Sequence, residues 1–216
     1  MPLRGPDAFL PLVRLVGRAY FGVRFEGIEN VPLTGPLIIA PNHVTYADPP
    51  LISLGARRPI FFMAWNRLFN VPLFGRLIRF LRAFPVETES ADPSATREVV
   101  RLLGAGQAVM IFPEGGRSRD GRLQRFKPGA FRLACSQGVP ILPVTIIGGH
   151  EAWPPHRIVP RPGRVTIVFH PPVAPPPGAL PRLAARDLAR QVRDAIASRL
   201  PPHQQPLDSD GPPAAG

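Results

Sequence analysis

A histidine and an aspartate stand five residues apart, directly after an apolar run. His43 and Asp48 lie in the stretch APNHVTYADPPL, residues 40–51, which follows Leu37-Ile38-Ile39. A neutral imidazole whose one nitrogen is held by a carboxylate takes a proton through its other nitrogen, and the carboxylate stabilises the resulting imidazolium. This separation is off the face of a regular helix, so the pairing needs a turn, and Asp48-Pro49 is a helix-start signal. We interpret the pair as a general base; the alternative is a loop histidine and an N-cap aspartate.

A second stretch combines glycines, a carboxylate and arginines. It reads VMIFPEGGRSRDGRLQRFKPGA and spans residues 109–130. Gly115 and Gly116 follow Glu114, and their missing side chains let backbone N–H groups approach a ligand closely. Arg117 comes next, where it could pair with a phosphate. The alternative is a solvated loop of the ordinary glycine-turn type.

The remaining pattern alternates short apolar runs with helical ones, which predicts an α/β fold with a mixed, mostly buried sheet flanked by helices. The predicted strands are Leu37 to Ala40, Ile60 to Ala64, Phe84 to Val86, Val109 to Phe112, Ile141 to Ile147 and Val165 to Phe169. The predicted helices are Pro50 to Ala56, Phe74 to Leu81, Ser94 to Leu103, Ala130 to Gln137 and Leu180 to Leu200. Pro140 and Pro143 in the stretch VPILPVTIIGG suggest an edge strand or a bulge there.

The two ends of the chain differ from this core. Ala8 to Phe25 is apolar but interrupted by Arg14 and Arg18 at helical spacing, which predicts an amphipathic helix at a membrane interface; the alternative is a helix packed on the domain. From Pro201 the chain is polar and Pro-rich, which predicts a disordered tail. We therefore divide the chain into a membrane-associating segment at 1–26, a domain at 27–200 and a tail at 201–216.

Composition narrows the function classes. The chain has 216 residues, 44% of them hydrophobic, and a formal net charge of +11 with Lys127 as its only lysine. That excess of arginine implies an anionic partner: nucleic acid, an acidic membrane surface or a phosphorylated ligand. Cys135 is the only cysteine, which excludes an intrachain disulfide and a cysteine-based zinc site and suits a reducing compartment. No apolar run is long enough to predict a membrane-spanning helix.

Taken together, the motifs resemble one family. The order Asn42-His43-x4-Asp48, then Phe112-Pro113-Glu114-Gly115-x-Arg117-Ser118, then Val139-Pro140-Ile141-Leu142-Pro143-Val144 is similar to that of the lysophosphatidic acid acyltransferases, glycerolipid acyltransferases with an HX4D motif. The resemblance covers residues 27–172. It implies the glycerolipid acyltransferase fold and transfer of a fatty acyl group from acyl-CoA or acyl-ACP to a lipid hydroxyl, without a covalent acyl-enzyme.

The resemblance also implies roles for individual residues. His43 would deprotonate the acceptor hydroxyl and Asp48 would orient it, while the N–H groups of Gly115 and Gly116 would stabilise the oxyanion. The residues expected to contact substrate are Asn42, Glu114, Gly115, Gly116, Arg117 and Ser118, with Arg117 facing the acceptor's phosphate. No metal and no bound cofactor are expected, since a thioester is already activated.

The chain departs from the family pattern at three places. Gly116 stands where threonine is usual, and the backbone amide survives that change. Trp65 and Arg67 stand where members commonly carry a lysine and a glutamate. An arginine expected to bind the acceptor's phosphate after Phe84-Pro85-Val86 is replaced by Glu87-Thr88, and Arg79, Arg82 or Arg119 are the candidate substitutes.

The sequence thus predicts an enzyme of phospholipid biosynthesis at the cytoplasmic face of the cell membrane, peripheral or monotopic. It would acylate lysophosphatidate to phosphatidate, with another lysolipid or a hydroxyl without phosphate as the alternative acceptor. A basic nucleic-acid-binding module is disfavoured because the arginines are scattered and no nucleic-acid motif is present. A serine hydrolase is disfavoured because no Gly-x-Ser-x-Gly elbow occurs.

Overall fold

The structure, a computed structural model, describes residues 19–87, 92–157, 159–176 and 181–207. Its strands are β1 Arg24–Glu26, β2 Leu37–Pro41, β3 Ile60–Trp65, β4 Ala83–Val86, β5 Ala108–Met110, β6 Ile141–Ile147 and β7 Thr166–Phe169. Its helices are α1 Asp48–Gly55, α2 Phe74–Phe80, α3 Pro93–Gly104, α4 Gly129–Gln137, α5 Gly149–Ala152 and α6 Pro181–Ala197. Short 3-10 helices lie at Ile28–Asn30, Asn66–Asn70 and Pro202–Gln204. The α/β alternation predicted from the apolar pattern is confirmed.

All seven strands belong to one sheet with the order β1-β7-β6-β2-β5-β3-β4. Neighbouring strands are parallel except for β6 and β7, so the sheet is mixed, as predicted. Every residue of β2 is buried, because helices cover both faces of the sheet and a central parallel strand has no solvated side. Because β2, β5, β3 and β4 are parallel, their carboxyl ends meet at one edge of the sheet, which is where α/β proteins bind ligands.

Alternate strand residues feed two hydrophobic clusters, one on each face of the sheet. Leu37 and Ile39 pack on the face covered by α1 and α2, through side chains such as Ile52 and Ile78. Ile38 packs on the opposite face, which α3, α4 and α6 cover with Val99, Leu102, Phe131, Leu188 and Val192. The sheet is thus held rigidly from both sides, and the loops at its edge rest on that base.

The predicted amino-terminal helix, Ala8 to Phe25, is wrong at its carboxyl end. Arg24–Glu26 form β1, which pairs in parallel with β7, so the helix predicted for Ala8 to Phe25 cannot extend that far. Residues 19–21 are helical, and residues 1–18 lie outside the described residues. Within the described ranges, none of the helices has both the length and the apolar content needed to cross a bilayer.

Of the two alternatives predicted from Pro140 and Pro143, the edge strand is wrong, whereas a bulge is found beside Pro143. β6 is an interior strand, bonded to β2 on one side and β7 on the other. Between the pair Val144–Phe169 and the bridge Ile141–Val173, two residues of β6 face three residues of the neighbouring chain segment. Pro143 lies between these two pairings, where its carbonyl accepts from the His170 N–H at 3.0 Å. Proline is tolerated at such a bulge, where the regular ladder is interrupted. Pro140 precedes the strand.

The predicted disordered tail is wrong for residues 201–207, and residues 208–216 lie outside the described residues. Gln204 is buried, its carbonyl accepts from the Leu123 N–H at 3.0 Å, and its amide donates to Glu151 at 2.8 Å. The Gln205 amide donates to the carbonyls of Ala197 and Leu200, which closes the end of α6. This segment thus packs against the Gly-rich loop that follows β5.

Candidate active site

His43 and Asp48 form the pair predicted from the sequence. β2 ends at Pro41 in the middle of the sheet, and α1 begins at Asp48, so the turn between them holds both residues at the carboxyl edge. The His43 Nδ1 lies 2.8 Å from Asp48 Oδ2. Because a buried carboxylate accepts here, we assign the proton to Nδ1, which leaves a lone pair on Nε2.

Asp48 also shapes the turn that carries it. Its Oδ2 accepts hydrogen bonds from the N–H groups of Val44 and Thr45, at 2.8 and 2.9 Å. Its Oδ1 is buried without a hydrogen-bond partner among the residues that the structure describes. The N-cap alternative for Asp48 is wrong: Ala47 holds the N-cap position of α1, and the carboxylate faces backwards into the turn.

The reactive side of His43 is open. Its ring stacks on Phe112 with centroids 3.7 Å apart, and its side chain keeps 17% of its surface exposed. Within the described part of the chain, Nε2 has no hydrogen-bond partner. A ring clamped at Nδ1 and stacked on one face, with Nε2 unbonded, is oriented for proton transfer to an incoming group.

Glu114 joins the two loops from a buried position behind His43. Its Oε1 accepts from the His43 N–H at 2.7 Å, and its Oε2 accepts from the Gln124 N–H at 3.1 Å. Burial raises the pKa of this carboxyl to about 8, against the opposing effect of the two backbone donors. Because both oxygens accept from backbone N–H groups, Glu114 positions the turn that carries His43, and its contact with the acceptor stays a prediction.

This raised pKa predicts a pH-dependent stability. Between the ordinary value of 4.5 and about 8, Glu114 is ionised in the unfolded chain but holds its proton in the folded one, so the native state binds more protons. The free energy of unfolding should therefore fall with rising pH by up to about 1.4 kcal/mol per unit in that window. Urea unfolding from pH 5 to 8 should show this slope in the wild type relative to Glu114→Gln, whose amide does not titrate. Equal slopes would contradict the raised pKa.

Asn42 and Ser118 were both predicted to bind substrate, and in the structure their side chains form hydrogen bonds within the protein. The Asn42 amide donates to the Ile146 carbonyl at 3.0 Å and its oxygen accepts from the Ile146 N–H at 2.7 Å. Ser118 donates its hydroxyl to Asp120 and its N–H to the His43 carbonyl, both within 2.9 Å. Both side chains are buried, so they hold the turn after β2 in place.

The two predicted oxyanion donors are not equivalent. The Gly115 N–H donates to the Phe112 carbonyl at 3.1 Å and closes a turn, so this donor is already engaged. The Gly116 N–H has no acceptor in the described ranges, and a Cβ added at Gly116 would meet nothing within 4 Å. Of the two predicted oxyanion donors, Gly116 is therefore the one whose N–H is unengaged in the described ranges, and the Cβ of the threonine usual in the family would fit at its position.

Arg117 connects the Gly-rich loop to the catalytic turn. Its Cζ lies 3.5 Å from the ring centroid of Tyr46, which stands between His43 and Asp48. Its Nη1 is buried and unbonded among the described residues. Tyr46 was missed by the sequence reasoning, although its place between His43 and Asp48 was a usable signal.

Lys127 was also missed. Its ammonium lies 2.5 Å from the position that a Cβ on Gly115 would take, and Gly115 has a φ of 74°, so both space and backbone require glycine there. The Lys127 N–H donates to the Pro113 carbonyl at 2.7 Å, which closes the loop at its base. As the single lysine of an arginine-rich chain, Lys127 was conspicuous in the sequence, and the structure places it on the loop that also carries Arg117.

The altered motif lies along the same edge of the sheet. Glu87 follows β4, and its carboxylate accepts a hydrogen bond from the Asn66 amide after β3. Arg67 stacks its guanidinium over Trp65, 4.9 Å from the ring centroid. The end of β4 therefore presents a carboxylate where the family pattern has an arginine.

Comparisons with known proteins show the family of this chain. The family model described as Acyltransferase matches residues 22–147. The chloroplastic 1-acyl-sn-glycerol-3-phosphate acyltransferase LPAT1 of Arabidopsis thaliana is 31% identical over 161 residues, covering 71% of this chain and 44% of the relative. A 1-acyl-sn-glycerol-3-phosphate acyltransferase of Chlamydomonas reinhardtii is 34% identical over 190 residues, covering 85% and 54%. The chain thus spans about half the length of these relatives.

A solved structure is similar over most of its length. The crystal structure of the 1-acyl-sn-glycerophosphate acyltransferase PlsC from Thermotoga maritima superposes with a TM-score of 0.68 at 30% sequence identity, covering 90% of this chain and 84% of that one. The family match, the relatives and the fold agree with the resemblance that the motifs carry. The chain belongs to the acyltransferase family, the family of the 1-acyl-sn-glycerol-3-phosphate acyltransferases.

Proposed function

We propose that this protein transfers a fatty acyl group from acyl-CoA or acyl-ACP to the free hydroxyl of lysophosphatidate, giving phosphatidate. The observation that carries the proposal is His43, held at Nδ1 by buried Asp48 while its Nε2 is unbonded within the described residues. The Gly116 N–H lies on the Gly-rich loop that follows β5 and has open space beside it. A base and an oxyanion donor on one edge are the groups that acyl transfer needs.

The proposed reaction proceeds without an acyl-enzyme. His43 Nε2 takes the proton of the acceptor hydroxyl while that oxygen attacks the thioester carbonyl carbon. The carbonyl oxygen becomes the oxyanion, which accepts from the Gly116 N–H. When the C–O double bond re-forms, the C–S bond breaks, and the imidazolium returns its proton to the departing thiolate. Asp48 stabilises the imidazolium between these steps, and no metal or cofactor is required because the thioester is already activated.

Arg117 and Lys127 are the cations that we assign to the acceptor's phosphate. Both lie on the loop after β5, and Arg117 Nη1 is buried without a partner in the described part of the chain. The end of β4 cannot take this role, since Glu87 stands there and would repel a phosphate. That same carboxylate favours the second candidate function, acyl transfer to a lysolipid or another hydroxyl without a phosphate monoester.

Replacing Arg117 by alanine separates the two acceptors. The change removes a charge-assisted pair, so KM for lysophosphatidate should rise with a loss of roughly 1.5 to 3 kcal/mol in kcat/KM, while kcat changes little. A neutral lysolipid should keep its KM, which also controls for disturbance of the Tyr46 contact. Arg125→Ala, an exposed arginine of the same loop, is the matched control. The measurement is a kinetic grid of these enzymes against both acceptors.

The same grid can contradict the phosphatidate assignment. If the wild type prefers the neutral acceptor and Arg117→Ala is indifferent to phosphate, the acceptor is not lysophosphatidate, although acyl transfer by His43 would stand. Mass-spectrometric analysis of products from a panel of lysolipids, each offered with acyl-CoA and with acyl-ACP, identifies donor and acceptor directly.

We place the protein at the cytoplasmic face of the cell membrane, bound peripherally or monotopically. Its formal charge of +11 attracts it to anionic lipid, and its acceptor is a lipid. The apolar, arginine-marked segment from Ala8 to Phe25 supports an interfacial anchor by its composition up to the start of β1.

A further inference from the structure

Large apolar side chains are exposed at and around α2. We define the α2 patch by five residues: Val71, Leu73, Phe74, Leu77 and Phe80. Leu73 is 78% exposed and Leu77 is 50% exposed, whereas Ile78 of the same helix is buried in the core. A surface helix normally turns a polar face to water, so a helix that is apolar on both sides indicates a second apolar partner.

The backbone at Leu73 is strained. Its φ is 63° and ψ is −50°, and the Phe74 N–H donates to the Pro72 carbonyl at 2.7 Å, which makes a γ-turn of the rare, unfavourable hand. A leucine at positive φ destabilises the fold, and one that is largely exposed adds no core packing in return. A leucine in this strained and exposed position is accounted for if its side chain binds something other than the protein's own core.

The chain segment that contains the patch carries charged side chains of one sign. Between Asp48 and Glu87 the sequence has no acidic residue, and its arginines there are Arg57, Arg58, Arg67, Arg76, Arg79 and Arg82. Arg76 and Arg79 lie on α2 itself and are exposed. An apolar centre with a cationic rim complements a bilayer, because the apolar side chains enter the acyl region while arginines meet lipid phosphates.

The patch begins at the edge of the sheet that carries the active site. β2 and β3 both run parallel to β5, so Pro41 and Trp65 end at the same edge. The chain passes from Trp65 through the 3-10 helix Asn66–Asn70 directly into the patch. A surface bound there would adjoin the sheet edge that carries His43, so that a lipid acceptor could reach the base from the interface.

We propose that the α2 patch docks on an anionic lipid bilayer. This inference deepens the membrane part of the proposed function and rests on it for the origin of the acceptor. The competing occupants, residues 1–18 of the same chain or a second copy of it, would both bury Leu73 in the protein's own structure.

The test exploits the strain at Leu73. In the full-length protein, Leu73→Gly removes the apolar side chain and relieves the positive φ. Binding to vesicles of phosphatidylcholine and phosphatidylglycerol should weaken by about three- to tenfold, because part of a leucine's burial is lost. At the same time Tm without lipid should rise by about 2 to 4 °C. Sedimentation with vesicles and a thermal melt give the two readouts.

A matched pair of variants controls for the loss of a leucine. Leu77→Ala and Leu183→Ala each shorten a helical leucine, 50% and 55% exposed, but Leu183 lies on α6 at the opposite face of the sheet. Leu77→Ala should weaken vesicle binding, and Leu183→Ala should leave it unchanged. Equal effects of the two variants would refute docking through α2.

Two further results would overturn the proposal. A lower Tm for Leu73→Gly, or a changed elution volume, would mean that residues 1–18 or a second copy cover the patch. Unchanged vesicle binding by Leu73→Gly would mean that the bilayer does not touch it. Acyl transfer between water-soluble short-chain substrates separates failure of docking from failure of the proposed function. If the protein transfers acyl groups between these substrates but the vesicle results contradict docking, only the docking proposal fails. If vesicle binding behaves as expected but no acyl transfer is detected, only the proposed function fails.

Discussion

His43→Ala should lower kcat by about two to four orders of magnitude, the usual contribution of a positioned general base. The imidazole is the group whose Nε2 is unbonded within the described residues while Nδ1 is held by Asp48 at 2.8 Å. Without it, the acceptor hydroxyl must lose its proton to water, whereas the oxyanion donor and the phosphate contacts remain. KM should therefore change far less than kcat, and single-turnover acyl transfer under saturating substrates measures the difference.

The control for this variant is His156→Ala, which removes an exposed histidine from the loop that follows α5. It should leave kcat unchanged. Circular dichroism and a melting curve must show that His43→Ala is folded, because His43 also stacks on Phe112. A folded His43→Ala protein with near-normal turnover would disprove the assignment of the base.

Local patterns in the sequence were sufficient to predict the strand and the helix that carry His43 and Asp48. The apolar run before Pro41 gives a buried strand, and Asp48-Pro49 opens α1, so the turn and its Nδ1 contact follow from neighbours in the chain. The predicted strands and helices are found, with boundaries that shift by a few residues. At Val109 to Phe112 the shift has a reason: the strand ends at Met110, and Phe112 leaves the sheet to stack on His43.

The contacts that support the pair could not be predicted in the same way. Glu114 accepts from the His43 N–H, and Asn42 binds both backbone groups of Ile146. These contacts depend on the register of β2 against β5 and β6, for example Pro41 beside Val144, which no local pattern specifies. The polar side chains of Asn42 and Glu114 were predicted to contact substrate, whereas in the structure each is the hydrogen-bond partner of backbone groups.

Asp48→Asn should lower kcat by about two to four orders of magnitude and also reduce stability. Asparagine can place its oxygen where Oδ2 accepts from His43, Val44 and Thr45, so the geometry of the turn survives. The negative charge that stabilises the imidazolium is lost. The amide group takes the buried position of Oδ1, an atom without a hydrogen-bond partner among the described residues, and we expect its N–H groups to be unpaired there. That unpaired donor costs about 1 to 3 kcal/mol in the free energy of unfolding.

The double variant tests whether the two residues act as one unit. If Asp48 acts only through His43, then His43→Ala with Asp48→Asn should be about as slow as His43→Ala alone, because no imidazolium forms for the carboxylate to stabilise. The losses in the free energy of unfolding are a separate readout from the kinetics, and urea unfolding measures them at a temperature where every variant is folded. If the two kinetic losses multiply instead, Asp48 has a catalytic effect that does not pass through His43. Normal turnover in folded Asp48→Asn would reduce its role to shaping the turn.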